Sequence, residues 1–206
     1  MLETYSVCNR VNSGEVDELW LFGGPWFGFY ESRLAGPNGF EYNSPPLGGT
    51  SCSKLMPIMG FSYEHGLENM VHDFGHRAEA TLTNVYGSWE ENRLEHSWDK
   101  FGLVKTQSPN FNYSGCGSIH YAPNSPEGYI YDSIINVETY CDNFFDYPNL
   151  SAAENVLKSI NCNAWNCSEI GYYEFWFGHL PKFTGIGPDG KLNDWWEYIL
   201  DPNKAV

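Results

Sequence analysis

"KLMPIMGFSYEHGLENMVHDFGHRAEATLTNVYG", Lys54 to Gly87, changes its hydrophobic period once, and that change decides the fold class. "KLMPIMGF" is an apolar run of strand length, in which Pro57 speaks against a place in the middle of a sheet. From Gly66 to Tyr86 the apolar residues Leu67, Met70, Val71, Phe74, Ala78, Leu82 and Val85 recur at helical spacing, and Gly87 ends the run. Strand, short junction and helix in that order predict an α/β architecture.

Upstream, "EVDELWLFGG" (Glu15 to Gly24) carries β-favouring residues and breaks at a Gly-Gly-Pro turn, so it reads as a buried strand. Between the two strands lies "GGPWFGFYESRLAGPNGFEYNSPPLGG", a Gly- and Pro-rich segment too long for an ordinary connection. Before them "LETYSVCNRVNSG" reads as a short helix closed by Gly14. Downstream, further helices are expected in "WEENRLEHSWDKFGLV", "SIINVETYCDNFF", "SAAENVLKSI", "GYYEFWFGHL" and "LNDWWEYIL". The expectation is a single α/β domain over residues 1–206. It has a small parallel or mixed sheet, flanking helices and long Gly-, Pro- and aromatic-rich loops. In such sheets ligands gather beyond the carboxyl ends of the strands, which singles out Gly23–Glu31 and Ser62–His65.

Composition narrows the function classes. A formal charge of -15 over 206 residues offers no basic surface to nucleic acid or an anionic membrane. No apolar run is long enough to cross a bilayer, so membrane insertion is not expected. Cys8, Cys52, Cys116, Cys141, Cys162 and Cys167 are an even, dispersed set without a CxxC pair. That pattern suits three disulfides in an oxidising compartment, and six cysteines allow about 15 pairings. Sequons at Asn112-Tyr113-Ser114, Asn149-Leu150-Ser151 and Asn166-Cys167-Ser168 fit a secreted glycoprotein. A secreted composition with no leader before the first helix leads to the expectation of the C-terminal part of a longer secreted chain. Aromatic residues make up 17% of the chain, enough for a ring-built core or for a cleft lined with stacking platforms.

Chemistry converges on a few positions. His72 and His76, four apart on one helix, can present two imidazoles to a single ion, although a polar helix face explains them equally well. Asp73 stands where the zinc-peptidase HExxH pattern has glutamate, one methylene shorter. His120, in the Cys-, Gly- and Pro-bounded loop "CGSIHYAPN", is the candidate third ligand. Glu31 follows the first strand and Glu64 the second. Two carboxylates at neighbouring strand ends could share acid and base work among Trp26, Phe27, Tyr30 and Tyr63. His96 faces a charged helix surface and reads as a solvated residue; His179 ends an aromatic helix and reads as a satisfied, half-buried one. No GxSxG elbow, P-loop or dinucleotide-binding glycine motif occurs.

"VDELWLFGGPWFGFYES", "FSYEHGLENMVHDFGHRAEA", "CGSIHYAPN" and "NDWWEY" together resemble a group of secreted microbial proteins with no assigned activity. The resemblance spans most of the chain, and Phe74-Gly75-His76-Arg77 is its most distinctive tract. It implies an extracellular location and a place in the C-terminal part of a longer chain. It draws attention to His76, Glu79, Glu31 and His120 rather than to His72.

The sequence thus leads to an extracellular hydrolase acting on a polymer, peptide or polysaccharide. Its catalytic set would be Glu31, Glu64, His76 and His120, with Trp26, Tyr30 and Tyr63 binding substrate. Either a divalent metal, zinc by ligand type, is held by His72, His76 and His120, or the histidines and carboxylates perform acid/base work directly with no cofactor. The alternative is a non-catalytic secreted protein that binds glycan through its aromatic loop or assembles at a surface as a homo-oligomer.

Overall fold

Strand passes into helix at Ser62–Leu67 in the computed structural model, which describes residues 1–25, 27–89, 94–150 and 156–206. The chain divides into two compact units, Met1–Val85 with Tyr198–Val206, and Tyr86–Glu197.

In the first unit, helix α1 (Val7–Asn12) precedes strands β1 (Leu19–Gly23), β2 (Ser32–Ala35) and β3 (Met56–Ser62), and α2 (Leu67–Tyr86) follows. The sheet order is β1-β3-β2, with β1 parallel and β2 antiparallel to β3. The mixed sheet agrees with the expected class. Strand β2 was not expected: four residues with Arg33 in the second place, set within a Gly- and Pro-rich tract, show no clear alternation.

Two expectations about strand position are overturned. Pro57 lies in the central strand, because β1 begins only at Leu19, opposite Ile58. The alternation that sends the Tyr63 N–H to the Gly23 carbonyl points residue 57 the same way, beyond the start of β1, so no ladder bond is lost. Conversely β1 is no buried strand. It forms the sheet edge, with Trp20 and Phe22 exposed.

Val7, Cys8, Val11, Ala35, Cys52 and Met56 form a core cluster, with Leu19, Leu47 and Ile58 packed against it. The Cys8–Cys52 disulfide ties α1 to the segment before β3. The end of the chain returns to this unit, where the Asn203 amide brackets Leu55, accepting its N–H at 2.7 Å and donating to its C=O at 3.1 Å.

The second unit holds α3 (Ser97–Gly102), β4 (Val137–Thr139) paired with β5 (Lys158–Ile160), α4 (Glu169–His179), and the hairpin β6 (Lys182–Ile186) with β7 (Leu192–Asp194). Helix α5 (Trp195–Leu200) starts directly after β7. The helix expected in "SIINVETYCDNFF" is instead β4 followed by a 3-10 turn, Cys141–Asp146. Val137 and Thr139 are β-branched and pair with β5, and Cys141 is held by Cys116. "SAAENVLKSI" ends in β5 rather than in helix, while its residues 151–155 lie outside the described residues. Of "WEENRLEHSWDKFGLV" only Ser97–Gly102 is α-helical among the described residues, and residues 90–93 lie outside them.

Rings build this core. Phe101 lies 5.0 Å from Phe144 and 5.6 Å from both Trp176 and Trp195, measured between ring centroids. Such edge-on contacts suit the ring quadrupole. The pairing is Cys8–Cys52, Cys116–Cys141 and Cys162–Cys167, with no free cysteine.

Candidate metal centre

Helix α2 was expected to pack its apolar stripe and show its polar one to water. The structure keeps the apolar Ala78 and Leu82 buried but buries the polar stripe as well. Leu67 is 64% exposed, whereas His72, Asp73, Arg77 and Glu79 are all buried. Burying so many polar groups on one helix is costly unless each is paired, so the pairing shows what they are for.

Arg77 is spent on structure. Its guanidinium donates to the Ile199 carbonyl at 3.0 Å and is ion-paired with Glu18. The residues at 72, 76 and 79 lie on one face, as helical geometry requires, and form a chain of their own. His76 Nδ1 lies 3.1 Å from Glu79 Oε2, and its Nε2 lies 3.0 Å from His72 Nε2. A carboxylate at Nδ1 fixes the proton there, so neutral His76 carries its lone pair at Nε2, aimed at His72.

Glu31 reaches the same point from the segment entering β2. Its Oε2 lies 3.8 Å from His76 Nε2 and accepts a hydrogen bond from Asn43 Nδ2. The backbone holds it there, because the Gly60 N–H in β3 donates to the Glu31 carbonyl at 3.1 Å. Residue 60 has to be glycine: a Cβ would lie 2.8 Å from Phe29 Cβ, on the segment that crosses the sheet at this level.

The two imidazole nitrogens are close enough to hold one metal ion. With Zn–N bonds of about 2.0–2.1 Å, tetrahedral ligand atoms stand roughly 3.3 Å apart. The observed 3.0 and 3.8 Å bracket that value. His76 Nε2 thus has a nitrogen and a carboxylate oxygen within reach, with Glu79 behind its own ring and Asn43 behind the carboxylate, partners of the kind that orient metal ligands.

Electrostatics follow from this crowding. Burial raises the Asp73 carboxyl, the nearby Glu31 charge raises it further, and His76 opposes both, leaving it at about 7. Burial alone would lower His76, but the Glu79 hydrogen bond and the charges of Glu79, Glu31 and Asp73 outweigh it and hold the imidazole above its ordinary value. Both carboxylates face a cleft of about 500 Å³, lined also by Phe27, Phe29, Gly60 and His65. The cleft opens where β1 and β3 end, as strand order predicts. A carboxyl that titrates near neutrality beside such an opening can exchange a proton with a bound molecule.

Glu64 is exposed in the turn after β3 and is not among the cleft-lining residues. Tyr30 and Tyr63 are exposed, and Arg33 lies over the Tyr30 ring. Trp26 lies outside the described residues. His120 belongs to the second unit, where its Nε2 lies 2.9 Å from the Tyr129 hydroxyl. His179 is buried between the Phe175 carbonyl and Asp142. His96 is more than a solvated residue: Ser88 Oγ lies 3.1 Å from its Nε2, and Asp99 accepts the N–H groups of Glu95 and His96 at the start of α3. Sequence reasoning passed over Asn43 and Gly60. Neither belongs to a motif, and each matters only through chain segments brought together by the fold.

No helix among the described residues is long and apolar enough to cross a membrane, and three disulfides fit an extracellular protein. Compared with protein-family models, with curated proteins and with solved structures, the chain matches none.

Proposed function

We propose that this protein is an extracellular, metal-dependent hydrolase of a polymer, with a divalent ion, zinc by donor type, held by His72 Nε2, His76 Nε2 and Glu31. The observation that carries the reading is the pair of facing imidazole nitrogens on α2, with the cleft-lining Glu31 carboxylate 3.8 Å from one of them. A bound ion of this kind supplies an activated water or a polarised carbonyl. Glu79 orients His76, Asn43 holds Glu31, and Asp73 is the second carboxyl on the cleft wall, assigned to take up a proton. The cleft presents no lysine or arginine among its described lining residues, so an anionic polymer is disfavoured.

Elemental analysis of the untreated protein tests the centre. About one equivalent of metal is expected, falling at least tenfold in His72→Ala and His76→Ala, with hydrolysis of a protein and polysaccharide panel abolished by a chelator and by Glu31→Gln. Absence of metal, together with chelator-insensitive hydrolysis or none at all, overturns the reading. The same metal assay on His120→Ala decides whether that residue contributes a ligand. The exposed rings of Phe27, Tyr30 and Tyr63 favour the second reading, a non-catalytic glycan-binding or surface-assembly protein. That reading requires glycan binding or self-association undisturbed by metal removal.

A further inference from the structure

Strand β1 combines an open edge with a direct path into the cleft. It lies at the sheet margin and pairs only with β3. The Gly23 carbonyl accepts the Tyr63 N–H at 3.1 Å, and the register runs from Leu19↔Ile58 to Gly23↔Ser62. In a parallel ladder alternate residues face the partner, so Leu19, Leu21 and Gly23 bond to β3. Trp20 and Phe22 therefore aim their N–H and C=O groups away from it. Among the described residues no other backbone group pairs with either. Edge strands are ordinarily blunted by lysine, proline or a bulge. "LWLFG" has none of these.

We infer that β1 is the docking strand for substrate, and that the substrate is an extended, basic polypeptide which adds to this edge and enters the cleft beyond Gly23. The inference rests on the hydrolase reading for its catalytic consequence, but the docking step stands on the strand itself. The chemistry selects the occupant. A row of outward N–H and C=O groups at strand spacing is matched by another peptide backbone, and a glycan has no such repeat. The rings of Trp20 and Phe22 lie 5.4 and 5.3 Å from Phe61 and form an aromatic ledge beside the edge. Alternate side chains of an added strand would rest on that ledge. Charge supplies the second selection. With no lysine or arginine among the described cleft-lining residues and a net charge of -15, lysine and arginine side chains are attracted, while a second copy of this chain is repelled.

The test uses the metal-loaded protein and four probes in calorimetry: an alternating Lys/Val octapeptide, the same peptide N-methylated at alternate amides, its Glu/Val counterpart, and a neutral glucose hexamer. The Lys/Val peptide is expected to bind, with at least tenfold weaker binding after N-methylation and for the Glu/Val peptide. Phe22→Pro removes one outward N–H where an edge strand tolerates proline. It is expected to weaken the peptide at least tenfold with metal content unchanged. Equal binding of the N-methylated peptide, or tighter binding of the glucose hexamer, overturns the proposal without using any variant. Concentration-dependent dimerisation that Phe22→Pro abolishes overturns it in favour of a second copy. Peptide binding by a protein that holds no metal and shows no chelator-sensitive hydrolysis leaves docking standing while the hydrolase reading fails; metal and hydrolysis without peptide binding is the converse.

Discussion

Glu79 is not among the described cleft-lining residues, yet it sets which nitrogen of His76 carries the proton. Carboxylates behind ligating histidines typically contribute about 10–100-fold to metal affinity. Glu79→Ala is therefore expected to weaken metal binding by that factor in a chelator competition titration, with Glu79→Gln recovering part of the loss as a neutral acceptor. Because His76 is held above its ordinary 6.5, protons compete with metal there. The same titration should show weaker binding as pH is lowered through and below that region. Arg77 has a different role. It is fully buried, paired with Glu18 and bonded to carbonyls at the chain end. Arg77→Leu leaves those acceptors unpaired and should cost about 3–5 kcal/mol in urea unfolding, the usual penalty for breaking a buried pair. Glu18→Gln should cost less, since Glu18 keeps about a third of its side chain in water.

Among the elements, α2 carries the first unit's chemistry because of its position rather than its pattern. A mean apolar stripe is present, but Leu67 at one end is solvent-facing and the polar middle is buried. Packing at that level is set by the β2 entry segment, which Gly60 admits across the sheet. Gly60→Ala should displace residues 29–31 and lower metal affinity more than stability, read by metal titration beside urea unfolding. Strand β1 and α1 depend on the Cys8–Cys52 link, which closes a loop of 44 residues. Replacing both cysteines by alanine should cost about 2–5 kcal/mol, as loss of a native disulfide generally does.

Across the whole molecule, acid acts on the second unit through Asp142. Burial pushes this carboxyl up, but hydrogen bonds and charge from Lys158 and His179 outweigh that and hold it below 3.8. A depressed folded value means stability that is present above the unfolded value and lost as pH falls through the folded one. Wild-type protein should therefore lose more stability than Asp142→Asn between about pH 5 and about pH 3. The group is 35% exposed, so the difference should shrink in high salt.

What the chain settled alone was whatever repeats along it. Helix period and strand length placed α2 and β3, even cysteine count implied three bridges, and charge argued against nucleic acid as a partner. The rule that ligands gather at strand carboxyl ends located the cleft at Glu31, and spacing put His72 and His76 on one face. Tertiary structure decided the rest, because burial is a property of neighbours rather than of period. That face meets Glu31, from a segment about 40 residues upstream in sequence whose carbonyl accepts the Gly60 N–H. Likewise Pro57 could sit mid-sheet because its neighbouring strand starts one residue late, and β1 became an open edge because β2 paired on the other side of β3. No local pattern encodes where a partner strand begins.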